Sequence, residues 1–444
     1  MTHKIKRRDF LKLASVSGLL TATPRFFAAP AFAQSQNVNS KLNVACIGIG
    51  GQGNYNVNGV SGENIVALCD IDENTLNKGK ERFPKAQLFR DYRKMYEKIE
   101  KEIDAVTVST PDHNHAPASI MGMKLGKHCY CEKPLAHNVK EIRDMQAVAR
   151  EKRLATQMGT QIHAEDNYRR VVELVQAGAI GKVTEIHVWC GSKWGGRPYS
   201  TDTPAVPSNI DWDLWLGPAP ERPYHPQYFG GAWRGYWAFG NGTLGDMACH
   251  HMDLSYWALG LRYPATVEAF CDAKPTQEIA PANLRVEYTY TARTRRRQRE
   301  GTPPPFEGKL TWYDGDLRPP LLKEKGLPDW GAGTLFVGEK GMLQADYNQR
   351  MLFPQEKFAD YKAPEPTIPK SAGHHREWIN ACQTGSPPTC NFNYSGVLAE
   401  AVLLGAVAFR VGKKLEWDAR NMRATNCPEA DQYLSRPYRK GWEV

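Results

Sequence analysis

The sequence predicts an α/β fold that begins with a doubly wound parallel sheet, and three observations predict it. An apolar strand over residues 42–47 runs directly into a glycine-rich turn over residues 48–53. A second apolar strand, residues 64–69, ends in an acid, and a third, residues 103–110, ends in a loop. Helical stretches separate these strands, which is typical of parallel sheets with helices on both faces.

The turn reads Gly-Ile-Gly-Gly-Gln-Gly, the G-x-G-x-x-G pattern of a dinucleotide-binding site. Gly48 permits the tight turn, Gly50 lets the backbone approach a pyrophosphate, and Gly53 allows close packing of helix on strand. Gly51 lies in the same turn, ahead of a helix whose N-terminal amides can bind phosphate. Asp70, seventeen residues after Gly53, can accept hydrogen bonds from a ribose 2′-hydroxyl and repel a 2′-phosphate. The pattern predicts NAD as the cofactor, with NADP as the less favoured alternative.

A further strand, residues 128–131, ends in Glu132-Lys133-Pro134. Ligands bind outside the carboxyl ends of the strands in an open parallel sheet. Lys133 is therefore placed to hydrogen-bond the nicotinamide ribose and a substrate hydroxyl, and its charge can stabilise a developing alkoxide. A salt-bridged lysine at the surface is the alternative.

These motifs resemble the Gfo/Idh/MocA oxidoreductases, a family that includes glucose-fructose oxidoreductase and inositol dehydrogenase. The resemblance is specific in the first half of the chain and looser in the second. It is carried by the glycine turn, Thr110-Pro111 with His115, Gly126-Lys127-His128, and Glu132-Lys133-Pro134. It implies a Rossmann domain followed by an α/β domain with a large, mostly antiparallel sheet. It also implies that the cofactor contacts Thr110, Pro111, His115, Glu132 and Lys133.

The resemblance further implies that Lys133 acts together with an Asp and a His four residues later. Asp246 and His250 form such a pair, and positions i and i+4 share one face of a helix. An imidazole beside a carboxylate is the usual general base near neutral pH. After a short strand, Gln161 or His163 is expected to face the nicotinamide.

The second half of the chain carries candidates for substrate binding. Trp233 lies in a Gly/Pro-rich stretch, residues 191–240, which is rich in aromatic residues. A long loop of this kind is commonly functional, so it predicts a stacking wall for a sugar, with a cap packed on the sheet as the alternative. His251 is expected to contact substrate or to pack. Adjacent helical residues point about 100° apart, so the pairs at 250–251 and 374–375 predict no metal site.

Residues 1–33 predict an export signal. Lys6-Arg7-Arg8-Asp9-Phe10-Leu11-Lys12 resembles a twin-arginine motif, and a short apolar stretch leads to the cleavage pattern Ala31-Phe32-Ala33. The predicted location is the periplasm. Free NAD is expected to be scarce there, so the cofactor is predicted to be tightly bound and restored within each catalytic cycle.

Four segments are predicted from these features. They are a signal peptide 1–33, an NAD-binding domain 41–155, a substrate and oligomerisation domain 156–427, and a polar tail 428–444 that lies back over the domain. Residues 1–33 contribute five of the nine net positive charges, so the remainder offers no electrostatic case for nucleic acid. The basic cluster Arg293–Arg299 is expected to be a solvated loop or edge strand. No apolar run is expected to span a membrane.

Ten cysteines leave the redox state open. Cys46 and Cys69 lie in predicted buried strands and are expected to be core thiols. Cys382 and Cys390 could pair across a loop. The family resemblance implies a homo-oligomer, a dimer or a tetramer.

Three functions remain open at this point. The first is an exported oxidoreductase that transfers hydride between a sugar or polyol carbinol and the nicotinamide. The second is a redox-neutral glycoside hydrolase that oxidises, eliminates, hydrates and reduces its substrate with bound NAD. The Tyr-Pro-Thr-His-Gly run of that branch is absent from this sequence, which favours the first. The third is a non-catalytic, nucleotide-bound sensor.

Overall fold

The protein is described from a computed structural model that covers residues 41–291 and 306–444. The predicted export signal and the basic cluster Arg293–Arg299 lie outside the described residues. The described residues belong to one compact unit.

The first sheet has six parallel strands. Their bounds are β1 Asn43–Ile47, β2 Asn64–Cys69, β3 Gln87–Phe89, β4 Ala105–Val108, β5 His128–Cys131 and β6 Thr156–Met158. The strand order is β3-β2-β1-β4-β5-β6, which confirms the predicted doubly wound fold. The sequence did not indicate β3, because its three half-buried residues are too few to show a pattern.

Helices cover this sheet, and several begin at a capping side chain. Their bounds are α1 Gln52–Val60, α2 Glu73–Arg82, α3 Tyr92–Ile99, α4 His115–Lys124 and α5 Val139–Glu151. Asp72, Asp91 and Asn138 each accept a hydrogen bond from a backbone amide in the first turn of α2, α3 and α5. Such caps satisfy amides that have no partner within the helix and fix where each helix begins.

The second sheet is mixed and mostly antiparallel, as the family resemblance implies. Its strands are β7 Val183–Cys190, β8 Thr266–Phe270, β9 Arg285–Tyr290, β10 Gly308–Asp314, β11 Ala332–Gly338, β12 Gly341–Ala345, β13 Arg350–Phe353, β14 Leu415–Asp418 and β15 Arg423–Ala424. They are ordered β13-β12-β11-β7-β10-β9-β8-β14-β15, and β7 and β10 form the parallel pair. Buried and half-buried residues alternate along β9, because one face of the sheet packs on the core.

The helices of the second half pack in several places, against both faces of this sheet and against the first half of the molecule. They are α6 Asp166–Gln176, α7 Trp212–Leu216, α8 Gly242–His251, α9 Asp253–Leu259, α10 Pro320–Glu324, α11 His374–Thr384, α12 Phe392–Val411 and α13 Asp431–Leu434. The long helix α12 contacts α5 and β6 on one side and α8 and β8 on the other. It therefore belongs to both halves of the core.

One helix of the described residues, α12, is long and apolar enough by length and composition to cross a membrane, with a mean hydropathy of 1.5. The sequence was expected to contain no such run, and on composition that expectation was wrong. A core helix passes the same test, and 83% of the 18-residue window of α12 that meets it is buried inside the protein. Burial against both sheets explains its apolar character.

All ten cysteines lie within the described ranges, and none of them is disulfide-bonded. Cys46 and Cys69 are buried within β1 and β2, where they pack as small apolar residues. Cys382 and Cys390 are free thiols as well.

Candidate functional site

The glycine turn has a conformation that few other residues adopt. Gly48 has φ +73°, and its amide donates to the Cys69 carbonyl at 2.8 Å, which joins the turn to the end of β2. A Cβ on Gly53 would lie 1.9 Å from the Gly48 carbonyl oxygen, so only glycine fits there. Gly51 has φ +51° and open space in front of it, where α1 begins. The turn therefore has the shape that a bound pyrophosphate needs.

Asp70 is fixed beside this turn by two backbone amides. Its Oδ2 accepts a hydrogen bond from the Ile49 amide at 2.9 Å, and its Oδ1 accepts one from the Asp72 amide at 3.0 Å. Burial raises the pKa of Asp70 from its ordinary value, and these amides oppose that rise. Each oxygen keeps a second lone pair, so the carboxylate can still accept a hydrogen bond from a ribose hydroxyl.

A cavity of about 600 Å³ extends across the carboxyl ends of the strands of the first sheet. Asp70 follows β2 and Lys133 follows β5, three strands apart, so at about 4.8 Å per strand they are separated by about 14 Å. One part of this cavity, here called the Lys133 end, is formed by Asp112, Lys133, Trp194 and Arg234. The other part, the Asp70 end, is formed by Cys69, Asp70, Ile71, Tyr92 and Trp442. Gly48, Gly50 and Gly51 line the cavity between them.

Thr110, Pro111 and His115 also line the cavity, as the family resemblance implies. The ring nitrogens of His115 contact the Pro134 carbonyl at 2.8 Å and the Thr110 carbonyl at 2.7 Å, and burial lowers its pKa to about 4. His115 therefore joins the loop after β4 to the turn after β5. The Thr110 hydroxyl is buried without a hydrogen-bond partner among the described residues, so it is available to a ligand.

Glu132 lines the same cavity, but its carboxylate is already held by α1. Its Oε1 accepts hydrogen bonds from Asn56 at 2.9 Å and from Gln52 at 3.3 Å. A Cβ on Gly159 would lie 2.5 Å from that oxygen, so the chain passes close behind the carboxylate. Burial raises the pKa of Glu132. The main effect of Glu132 is to fix the turn that carries Lys133.

Lys133 and Asp246 form a buried ion pair, which brings together two predicted catalytic residues. Arg234 Nε lies 2.8 Å from Asp246 Oδ1, and Trp194 Nε1 donates to Asp246 Oδ2 at 2.5 Å. Burial alone raises the pKa of Asp246, but the charges of Lys133 and Arg234 outweigh it and hold the pKa below its ordinary value. Asp246 is therefore ionised at neutral pH and orients both cations.

Asp112 is a second carboxyl at the Lys133 end and is 2% exposed. Burial raises its pKa to about 8, although Arg234 and Lys133 act in the opposite direction. Sequence reasoning did not single out Asp112 or Arg234 as site residues, whereas Trp194 belongs to the aromatic stretch predicted as a stacking wall. Asp112 directly follows Thr110-Pro111, and Arg234 directly follows Trp233, so both could have been found from those positions.

His250 lies one turn beyond Asp246 on the same face of α8 and is 6% exposed. It is not part of the cavity wall that the described residues form. Its Nδ1 is buried without a hydrogen-bond partner, and Tyr168 donates to its backbone carbonyl at 3.1 Å. Burial and the charge of Lys133 place its pKa well below the ordinary value, so the ring is neutral and a weaker base than an ordinary imidazole.

The predicted substrate residue His251 faces a different cavity from Lys133. That cavity has a volume of about 390 Å³ and includes Cys190 and Tyr347 in its wall. The His251 ring stacks on Tyr347 with centroids 4.7 Å apart, and its Nε2 lies 3.0 Å from the Tyr347 hydroxyl. Successive residues of α8 point in different directions, which is why His250 and His251 separate.

Neither residue expected to face the nicotinamide after β6 reaches the main cavity described here. Gln161 lines a separate cleft beside Tyr55 and His375. His163 is held by Asp253, whose carboxylate lies 2.8 Å from its Nδ1, and it stacks on Trp257 with centroids 4.0 Å apart. Both residues belong to the short helical turn that follows β6, and neither is part of the wall of the cavity that contains Lys133.

The aromatic stretch divides between the two predicted uses. Trp194 and Trp233 line the cavity, and the Arg234 guanidinium lies over their rings at 5.2 and 4.3 Å. Other members form a buried cluster, among them Phe239 and Trp215, whose ring centroids are 4.6 Å apart, and Trp215 lines the cavity as well. The stretch is therefore both a wall of the cavity and a packed cap.

The second histidine pair is occupied by protein contacts. His374 Nε2 lies 2.9 Å from the Met158 carbonyl, and His375 Nε2 lies 2.9 Å from the Asn56 side-chain oxygen. Within residues 41–291 and 306–444, there is no group of three or more His, Cys, Asp or Glu side chains that could hold a metal ion.

Together the fold and the cavity define a dinucleotide-binding α/β protein with a lysine at the end of its fifth strand. Residues 42–160 match the model of the Gfo/Idh/MocA oxidoreductase family described as its NAD-binding Rossmann fold. Residues 167–295 match the model of that family's C-terminal alpha/beta domain. The chain belongs to the Gfo/Idh/MocA family.

Curated relatives carry several activities in their names. A glycosyl hydrolase family 109 protein of Solibacter usitatus is 29% identical over 46% of this chain and 48% of its own length. A levoglucosan dehydrogenase of Pseudarthrobacter phenanthrenivorans is 26% identical over 36% of this chain and 34% of its own length. An inositol 2-dehydrogenase of Salmonella typhimurium is 24% identical over 36% of this chain and 47% of its own length. The chain thus spans about half the length of these relatives, or less.

A solved structure of similar fold is the WlbA dehydrogenase of Chromobacterium violaceum, in complex with NADH and UDP-GlcNAcA. It superimposes with a TM-score of 0.61 at 17% identity, over 89% of this chain and 99% of that chain. GenD2 from gentamicin A biosynthesis, in complex with NAD, gives a TM-score of 0.57 at 17% identity, over 87% of this chain and 99% of that one. At these identities the likeness shows the fold.

Proposed function

We propose that this protein is an NAD-dependent oxidoreductase that acts on a CH–OH group of a sugar or polyol. The observation that carries the proposal is the buried Lys133–Asp246 ion pair, whose Lys133 lines the same cavity as the glycine turn and Asp70, whereas Asp246 is not part of that wall. NAD, when bound across that cavity, supplies the hydride acceptor or donor. Two dehydrogenase relatives have levoglucosan and inositol in their names, and these compounds support the proposed substrate class.

Lys133 supplies a positive charge where a substrate hydroxyl becomes an alkoxide. The Lys133 side chain is 9% exposed, so its charge has a larger effect than it has in bulk solvent. Asp246, which is itself held by Arg234, fixes the ammonium in place.

His250 or Lys133 is the candidate proton acceptor. The neutral His250 ring lies on the same helix face as Asp246 but outside the cavity wall, and its lowered pKa makes it a weak base, whereas Lys133 lines the cavity. Trp194 and Trp233 offer apolar ring faces to the C–H groups of a sugar. Their position beside Arg234 suits a polyhydroxylated ring, which has both C–H faces and acceptor oxygens.

We further propose that NAD is preferred over NADP and is held tightly. Asp70 is a fixed negative charge where a 2′-phosphate would lie. Export by the twin-arginine route to the periplasm, and assembly as a dimer or tetramer, complete the proposal. An exported enzyme needs a cofactor that stays bound through the catalytic cycle.

The test is mass spectrometry of the molecule released when purified protein is denatured, followed by assays with free sugars, polyols and anhydrosugars. Recovery of NAD(H) close to one per chain, and reduction of bound NAD by one of these substrate classes, is the expected result. A protein that contains no nucleotide and neither binds nor reduces added NAD contradicts the proposal.

A redox-neutral glycoside hydrolase is the second candidate, because several relatives at 28–29% identity are glycosyl hydrolase family 109 proteins. Such an enzyme uses the same Lys133 end for oxidation and returns the hydride before product leaves. The two candidates are distinguished by release of the phenol from aryl glycosides without added NAD. Phenol release supports the hydrolase, and no release across a broad panel removes it. A non-catalytic sensor is removed if Lys133→Met abolishes turnover.

A further inference from the structure

Residues 435–442, here called the strap, lie across loops of the first half of the molecule. The Arg436 guanidinium donates to the His113 carbonyl at 2.6 Å, and the Tyr438 hydroxyl donates to the Glu141 carboxylate at 2.9 Å. Further along, Arg439 Nε donates to the Gly217 carbonyl at 3.0 Å. The strap is thus tied to the loop after β4, to α5 and to the aromatic stretch.

These ties bring Trp442 to the Asp70 end of the cavity. Its side chain is 4% exposed and meets the Tyr92 ring edge-on, with centroids 6.0 Å apart. The Arg93 guanidinium lies 3.8 Å from the centre of its indole ring and also donates to the Gly441 carbonyl at 2.9 Å. Both Trp442 and Tyr92 form part of the cavity wall. Trp442 therefore packs on α3 on one side and borders open space on the other.

The position of that open space indicates what it would hold. In a doubly wound sheet, a dinucleotide spans the point where the strand order reverses, with one nucleotide over each half. Lys133 follows β5, so the half formed by β1, β2 and β3 holds the adenosine. Tyr92 follows β3 and Asp70 follows β2, which places Trp442 beside the adenine rather than beside the reacting carbon.

We propose that Trp442 is a cofactor-binding residue that covers the adenine of NAD, and that Arg439 is a positioning residue that holds the strap closed. The inference rests on the proposed NAD-dependent function and adds the means by which the cofactor is retained. An indole ring can stack on a purine without a hydrogen bond to the edge of the base. Arg439 binds the segment that contributes Leu214 and Trp215 to the same wall, so the strap and that segment open together.

The experiment compares Trp442→Ala with the unmodified chain by calorimetric titration of nucleotide-free protein. The probes are NAD⁺, ADP-ribose, which contains the adenosine half, and nicotinamide mononucleotide, which lacks it. We expect the Kd for NAD⁺ and for ADP-ribose to rise about tenfold or more, since loss of one stacked ring has an effect of this size. The Kd for nicotinamide mononucleotide is expected to change less than about twofold, and Trp442→Phe is expected to restore most of the affinity for ADP-ribose.

The matched control is Trp330→Ala, which removes the same ring from a half-buried position outside the cavity wall. It is expected to bind all three probes as the unmodified chain does. A folded Trp442→Ala that binds ADP-ribose within about twofold of the unmodified chain overturns the inference and leaves the proposed function intact. An unmodified chain that binds neither NAD⁺ nor ADP-ribose removes the proposed function and the inference with it.

Because Trp442 is buried, its removal could unfold the protein, and Arg439→Ala provides the second test. The Arg439 side chain is not part of the cavity wall, and its carboxylate partners Asp213 and Glu221 are exposed. We expect the rate of NADH release, followed by loss of its fluorescence on trapping, to rise about threefold or more. A release rate equal to that of the unmodified chain contradicts the role given to the strap.

Discussion

The two ends of the cavity are built in different ways. At the Asp70 end, one acid is fixed by the backbone amides of Asp72 and Ile49, and aromatic and charged side chains complete the wall. At the Lys133 end, Lys133 and Arg234 are both held by Asp246. The first end can bind one half of a dinucleotide by shape. The second depends on the whole fold and has the charges that a reaction needs.

This difference makes the Lys133 end the more fragile part of the site. Lys133 lies 113 residues from Asp246, and their ion pair forms only when α8 is docked against the end of β5. A change that removes one partner leaves the others buried without their counter-charge, which is costly in a water-poor cavity. Changes at the Asp70 end are expected to alter nucleotide binding more than turnover.

The largest expected effect comes from Lys133→Met. Removal of the ammonium is expected to lower kcat by about a thousandfold, because the developing alkoxide loses its stabilising charge, and to alter the Kd for NAD less than about threefold. The measurement is steady-state oxidation of the best substrate from the panel. Lys140→Met is the control, since Lys140 pairs with Asp144 on the exposed face of α5. Activity within tenfold of the unmodified chain contradicts this role of the Lys133 end.

A smaller loss is expected from Asp246→Asn. The neutral amide cannot balance Lys133 and Arg234, so the ammonium is less well oriented, and kcat is expected to fall by about a hundredfold. Asp246→Glu keeps the charge and is expected to recover part of the activity. A variant whose KM for the substrate rises while kcat stays constant contradicts this role. That pattern indicates an interaction that is equally strong in the ground state and in the transition state.

At the other end of the cavity, Asp70→Ser is expected to weaken NAD binding by about tenfold, because a hydrogen bond to a charged group is lost. The same change removes a negative charge near the 2′ position, so the ratio of NADP to NAD affinity is expected to rise. Lys133→Met is expected to leave that ratio unchanged, which separates the two ends in one titration. An unaltered ratio in Asp70→Ser means that Asp70 does not select the cofactor.

The smallest effect concerns stability and its pH dependence. The pKa of Asp112 is raised by burial to about 8, whereas in the unfolded chain it lies near 3.8. Between about pH 4 and pH 8 the folded protein therefore holds a proton that the unfolded chain releases, so its stability falls as the pH rises through this window. Asp112→Asn is expected to flatten this slope and, near pH 8, to raise the free energy of unfolding by about 1–3 kcal/mol.

Urea unfolding at about pH 5 and about pH 8 measures this difference. The variant and the unmodified chain are expected to differ more at the higher pH, where the carboxyl would otherwise ionise in the folded state. A difference of the same size at both pH values shows that Asp112 does not titrate in this range.

The parts of the molecule that the sequence could predict are those fixed by neighbouring residues. The turn from Gly48 to Gly53, the acid that follows β2 and the lysine that follows β5 all depend on one strand and its next few residues. The same is true of Asp246 and His250, whose common helix face follows from their spacing. Each of these could be placed without knowledge of the rest of the chain.

The parts that could not be predicted depend on contacts between distant segments. Arg234 and Trp194 meet Asp246 only because the aromatic stretch folds over the strand ends. Trp442 reaches the cavity through ties to residues more than two hundred positions earlier. The spacing that placed His251 near substrate did not show that the next residue on a helix turns toward another cavity.

The shared helix α12 has a consequence for how a ligand enters. Because it is buried against the helices and strands of both halves, a hinge motion that separates the two sheets would expose its sixteen buried, mostly apolar residues to water. This cost favours entry and departure of a ligand by local opening of surface segments.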